Sequence, residues 1–263
     1  MKRRELTTRR GISLEVLEAG EGAPLLYLHG IAGLLDEEPL IEALAQRYRV
    51  HAPVWPGYGP EDENSGEVEL EDMQDFALHG WDIAESLGLE RPHVLGHSMG
   101  GMIAAEMACM APMQIDKLVL VAATGLWLDA HPIPDLFATS PFKIAETLFH
   151  DAQAGEALLG GGADFSQDGA LTDFMVGNAR RLGMAGKILF PIPNRRVDRR
   201  LYRVSNDTLV LWGRQDQWLV PAYAEKWQAL LPAAQLAWID DAAHMLPYEA
   251  PAEAAEVIAK FIG

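Results

Sequence analysis

The chain has 263 residues, 49% of them apolar, and a mean hydropathy close to zero. That suffices for one large α/β domain, or a core with a modest insert, and excludes a mostly disordered chain. The formal charge of −17 argues against nucleic acid and against anionic membrane surfaces, because both recruit clustered Lys and Arg.

Cys109 is the single cysteine, so no intrachain disulfide can form. It sits in the apolar run 102–110 and reads as a small buried hydrophobe. Residues 1–10 are polar and no hydrophobic signal region follows. No apolar stretch approaches the roughly 20 residues that span a bilayer. The expectation is a soluble, cytoplasmic protein, monomer or homodimer, acting on a small molecule.

Residues 12–18 alternate apolar and polar, the period of a strand with one wet face. Residues 25–28 form a continuous apolar run ending at His29-Gly30, which suits a strand covered on both faces. Helical spacing follows over 34–48, then Arg49–Pro53 leads into the turn-rich segment 56–60. Residues 70–87 predict a long amphipathic helix stopped by Gly88. His93-Val-Leu95 is the next strand, 96–101 is Gly-rich, and an apolar helix runs to about Met110. Residues 118–122 form another buried strand. Regular alternation of this kind predicts a largely parallel sheet covered on both faces.

The alternation stops after Ala123. Residues 125–205 show no strand, but helical patches stand out at 141–150, 156–159 and 171–189. Prolines 132, 134, 191 and 193 and the glycines 160–162 interrupt them. The reading is a helical insert, 125–205, in a core of 1–124 and 206–263. Alternation resumes with a strand at 208–212, a helix at 222–231, a strand at 235–239 and a closing helix at 252–261.

Gly96-His-Ser-Met-Gly100, extended by Gly101, fits G-x-S-x-G directly after a strand and directly before a helix. Such an elbow exposes the Ser98 hydroxyl, and its glycines let strand and helix backbones approach. A hydroxyl needs a base to become a nucleophile. His244, past the last strand and before the last helix, is the best placed of the eight histidines. An acid should orient it, and Asp216, in the turn after the 208–212 strand, is the candidate. Asp240 and Asp241 compete, although their closeness to His244 on one segment makes convergence awkward. Backbone N–H donors for a developing oxyanion should come from Met99 and from the loop after 25–28, where Ile31 N–H is chosen. His29 should anchor that loop by hydrogen bonding.

His29-Gly30, Gly96–Gly101, Gly213-Arg-Gln-Asp216 and Ala243-His244 together resemble the α/β-hydrolase superfamily. The resemblance covers the chain apart from 125–205, which looks like that family's variable cap. It implies an eight-stranded, mostly parallel sheet flanked by helices, and an acyl-enzyme mechanism. No metal or organic cofactor is implied. Ser98 stands where epoxide hydrolases and haloalkane dehalogenases carry aspartate, and the HGGG loop of many lipases is absent.

Substrate is the least legible element. His29, Trp127, Phe137 and Trp218 are candidate pocket residues, with Leu128, Ile133, Phe142 and Phe149 as further apolar cap positions. The basic cluster 195–203 reads as a solvated stretch facing an acidic body, or as a partner for an acidic substrate. Three functions stay open: a carboxylesterase, a carbon–carbon bond hydrolase for ring-fission dienones, and a non-catalytic ligand-binding protein.

Overall fold

The computed structural model describes residues 1–59, 69–160, 165–190, 194 and 196–263. At the N-terminus β1 (Lys2–Thr7) and β2 (Ser13–Ala19) pair antiparallel, Lys2 opposite Glu18 and Thr7 opposite Ser13. The polar reading of residues 1–10 missed β1. Only Leu6 of that strand is buried, so no hydrophobic pattern betrays it. Backbone pairing holds it at the sheet edge, with Arg3 on Glu15 at 2.8 Å and Arg4 on Glu18 at 3.4 Å.

β4 (Tyr48–Pro53) runs antiparallel to β2 and parallel to β3 (Ala23–Leu28). Beyond β3 the strands β5 (His93–His97), β6 (Leu118–Val121), β7 (Thr208–Gly213) and β8 (Ala234–Ile239) are all parallel, giving the order β1-β2-β4-β3-β5-β6-β7-β8. Every residue of β5, β6 and β7 is buried. That explains the apolar runs at their centres, because helices cover both faces.

Between β3 and β4 the helix is shorter than its periodicity suggests. α1 spans only Pro39–Leu44. Proline at the first helical position fixes the start, residues 34–38 form a loop, and Tyr48 already pairs in the sheet. α2 (Met73–Ser86) begins at Asp72, whose carboxylate accepts the N–H groups of Gln74 and Asp75. α3 (Met99–Met110) starts one residue after Ser98 and is buried from Met99 to Cys109. Burial pushes the Cys109 thiol up to about 12, with Glu106 adding to the effect.

Among the described residues no strand lies between β6 and β7. That segment holds α4 (Ile144–Leu148), α5 (Ala152–Leu159) and α6 (Ala170–Leu189). The patch expected from 141 opens as a 3-10 turn at Pro141–Lys143. Pro60, Gly161, Gly162, Pro191, Pro193 and Arg195 lie outside the described residues. Of the basic cluster, Arg200 makes a two-pronged ion pair with buried Glu106, one bond at 2.8 Å. Arg203 Nε donates to the Cys109 carbonyl at 2.6 Å. Arg200 and Arg203 thus close the end of α3. α7 (Ala222–Leu230), the short α8 (Leu246–Glu249) and α9 (Pro251–Ile262) complete the chain. Among the described residues no helix is long and apolar enough to cross a membrane.

Candidate active site

Ser98 joins β5 to α3 at φ +55° and ψ −116°, a conformation that costs a non-glycine residue on the order of 1–3 kcal/mol. Its surroundings hold it there. Ser98 N–H donates to Val121 O at 2.9 Å, and its carbonyl accepts Gly101 N–H at 3.0 Å and Thr124 N–H at 3.1 Å. Glycine is obligatory beside it: a Cβ on Gly100 would lie 2.0 Å from the Leu28 carbonyl oxygen, and one on Gly96 would lie 2.2 Å from that of Gly100.

β8 ends at Ile239, and the following loop swings His244 back over the elbow. His244 Nε2 lies 2.8 Å from Ser98 Oγ, and its Nδ1 lies 2.9 Å from Asp216 Oδ2. Asp216 stands just past β7, where its Oδ1 accepts the N–H groups of Trp218 at 3.0 Å and Leu219 at 2.8 Å. With both oxygens engaged, the carboxylate cannot turn away. Asp240 instead takes Arg214 Nε at 2.6 Å on the surface, and Asp241 is exposed. Ser98, Asp216 and His244 are 0%, 3% and 0% exposed.

Two further imidazoles border the site. His97 Nε2 lies 2.9 Å from the His244 carbonyl and donates to it. Burial, reinforced by the charge His244 can carry, lowers His97 to about 3. His29 Nε2 accepts Trp55 N–H at 3.1 Å, so its Nδ1 holds the proton and donates to Gly30 O at 2.8 Å. Burial lowers His29 to about 4. Both rings therefore stay neutral at neutral pH and add no positive charge beside Ser98.

The loop that His29 anchors brings Gly30 against the elbow. A Cβ at Gly30 would sit 2.9 Å from Ser98 Cβ. The next N–H in the chain, Ile31, has no acceptor among the described residues, and neither has that of Met99. Both donors lie on the elements the sequence singled out, Met99 directly after Ser98 and Ile31 directly after Gly30.

A cavity of about 50 Å³ adjoins Ile31. Ile31, Ala32 and Leu35 line one side, and Leu136, Leu148 and Leu182 belong to the facing helical segment. Arg181 and Asn178 give it a polar edge, and Arg181 has no ion-pair partner among the described residues. His29, Trp127, Phe137 and Trp218 are not among the residues that line this cavity. His29 spends both ring nitrogens on backbone and is 1% exposed. The Trp127 indole N–H donates to Asp129 at 3.0 Å. Phe137 packs edge-on against Phe190, centroids 5.7 Å apart. Trp218 sets its ring edge-on to His244 at 4.7 Å and donates from Nε1 to Pro134 O at 2.8 Å, so it braces the histidine.

Sequence reasoning missed two carboxylates. Glu249 accepts Ala243 N–H at 2.9 Å and His150 N–H at 2.6 Å, tying the His244 loop to the end of α4. Glu38 accepts Leu35 N–H and the Tyr248 hydroxyl, both at 2.6 Å. Neither carries a local motif.

A strained serine at a strand–helix elbow, backed by a histidine and a carboxylate at the ends of later strands, is the layout of an α/β-hydrolase protein. The family described as "Alpha/beta hydrolase family" matches residues 25–257. The chain belongs to that family. Its relatives include the dihydrolipoyllysine-residue acetyltransferase component of the acetoin cleaving system of Cupriavidus necator, 28% identical over 96% of this chain and 67% of the relative. Lipase 1 of Psychrobacter immobilis is 26% identical, covering 96% and 81%. The 2-hydroxy-6-oxononadienedioate/2-hydroxy-6-oxononatrienedioate hydrolase of Cupriavidus pinatubonensis is 27% identical, covering 86% and 79%.

Proposed function

We propose that the protein is a serine hydrolase that cleaves carboxylic esters of small or medium substrates through an acyl-enzyme. The observation that carries this reading is the continuous relay from Ser98 Oγ to His244 at 2.8 Å and on to Asp216 at 2.9 Å. His244 Nδ1–H donates to Asp216, which leaves Nε2 free to take the Ser98 proton. Oγ attacks the ester carbonyl, and the N–H groups of Met99 and Ile31 receive the oxyanion. His244 then gives the proton to the leaving alcohol, and water repeats the sequence to release the acid. The segment 125–205 acts as a cap over the acyl group, and the small apolar cavity favours short chains.

The test pairs hydrolysis of p-nitrophenyl acetate and butyrate with fluorophosphonate labelling. Both should occur in the wild type and vanish in a folded Ser98→Ala variant. Labelling at another residue, or turnover that survives Ser98→Ala, would refute the assignment.

A second reading draws on Arg181. A cation without an ion-pair partner among the described residues, at the edge of an apolar cavity, suits a substrate with a carboxylate remote from the bond broken. The named substrates of the Cupriavidus pinatubonensis relative are dioates, which supports carbon–carbon bond hydrolysis of an acidic dienone. Assaying a ring-fission dienone beside the esters separates the two, and Arg181→Ala should raise KM for the acidic dienone alone.

A further inference from the structure

We infer that Glu38 is a positioning residue that locks the loop carrying Ile31 to the turn following His244. The inference rests on the nucleophile and oxyanion reading above. Glu38 is 1% exposed, and one of its oxygens, Oε1, accepts from two directions at once. From one side comes Leu35 N–H, on the stretch between Ile31 and α1. From the other comes the Tyr248 hydroxyl on α8, four residues past His244.

A carboxyl in this position is costly, since burial pushes it up to about 7. An apolar side chain would fill the space without that penalty. What a carboxyl supplies, and an apolar group cannot, is a single acceptor shared by two segments. Burial also holds the Tyr248 phenol well above its usual range, so the tyrosine keeps its proton and donates. α8 is thereby tied on both flanks: Tyr248 holds the Ile31 loop, while the adjacent Glu249 holds Ala243 and His150.

The linkage matters because the proposed donor and base arrive on separate segments. Gly30 abuts the Ser98 Cβ, while His244 reaches the Ser98 hydroxyl at 2.8 Å. If the loop slips against α8, the Ile31 N–H moves relative to the oxyanion while ground-state binding is little changed. The clamp therefore acts on kcat and spares KM.

The experiment compares wild type, Glu38→Ala, Glu38→Gln and Tyr248→Phe in three readouts: fluorophosphonate labelling rate, p-nitrophenyl butyrate kinetics and thermal midpoint. Glutamine keeps an oxygen acceptor and should stay within about threefold of wild type. Tyr248→Phe should lower kcat roughly tenfold, and Glu38→Ala more, with KM within about twofold, because an oxyanion donor is displaced in each. Full kcat in folded Tyr248→Phe would overturn the clamp, as would a glutamine variant no better than alanine. Tyr248→Phe loses only one oxygen atom, so it decides the matter even where Glu38→Ala fails to fold. Wild type that resists labelling at Ser98 would strike the nucleophile reading. Equal labelling of wild type and Tyr248→Phe would strike the clamp alone.

Discussion

Replacing Asp216 with asparagine changes one atom, and the structure dictates how the new amide must sit. Asp216 Oδ1 accepts two backbone N–H groups, from Trp218 and Leu219. An amide NH₂ there would face two donors, so the asparagine oxygen has to keep that place. Its NH₂ is then turned toward His244 Nδ1, which today lies 2.9 Å from Oδ2. To meet a donor, Nδ1 must give up its proton, and the proton moves to Nε2. The imidazole then presents N–H to Ser98 and has no lone pair with which to take its proton. Loss of the base in this way costs about 10⁴-fold in kcat, or about 5.5 kcal/mol of transition-state stabilisation. Folding should survive, since shape and both loop bonds are kept. The assay is p-nitrophenyl butyrate turnover at saturating substrate, beside a thermal melt. An Asp216→Asn protein that melts like wild type and retains a tenth of its rate would refute the tautomer argument.

Other perturbations follow from the same geometry. Ser98→Gly should be more stable than Ser98→Ala by about 1 kcal/mol in urea unfolding, because glycine alone adopts φ +55° without strain; equal midpoints would show that the turn stores none. Gly30→Ala should lower kcat roughly 10²-fold, since the added methyl pushes the Ile31 loop off Ser98, and a rate near wild type would count against Ile31 as a donor. His79 is buried, neither ring nitrogen has a hydrogen-bond partner among the described residues, and burial lowers it to about 4. Between pH 6.5 and 4 the unfolded chain therefore binds a proton that the folded chain refuses, so stability falls as the pH drops through that window. His79→Leu should shrink the stability lost between pH 7.5 and 5 by roughly 2 kcal/mol, and parallel curves for the two proteins would contradict this.

The relay could be read from the sequence because each member is announced locally. Ser98 sits in a glycine pattern that only a strand–helix elbow needs, while Asp216 and His244 each follow a buried strand run. Supports of the relay are announced by nothing nearby. Glu38 belongs to the stretch Asp36-Glu-Glu38, indistinguishable in sequence from a solvated charge run. It is buried, and Tyr248, 210 residues away, reaches it. The strand at 2–7 escaped for the opposite reason, since edge pairing requires backbone and no apolar face. Leu34 to Tyr48 imitated a helix because a loop, one and a half turns of α1 and a strand start happen to space their apolar residues alike. Of the aromatic residues singled out in 125–205, Phe137 packs on Phe190 and Trp127 bonds to Asp129, and neither lines the cavity beside Ile31. The cavity wall is drawn mostly from aliphatic residues that composition cannot distinguish from core, with Phe174 as its one aromatic side chain.

On the proposed acyl-enzyme reading, the hydrogen bond from Met245 N–H to the Leu148 carbonyl, 3.1 Å long, would give the cavity beside Ile31 a means of judging acyl size. Leu148 lines the cavity, and Met245 is the residue directly after the imidazole. An acyl group wide enough to press Leu148 outward pulls on the peptide next to the base. Oversized substrates would then be penalised during the proposed proton transfer itself, docking tightly yet turning over slowly.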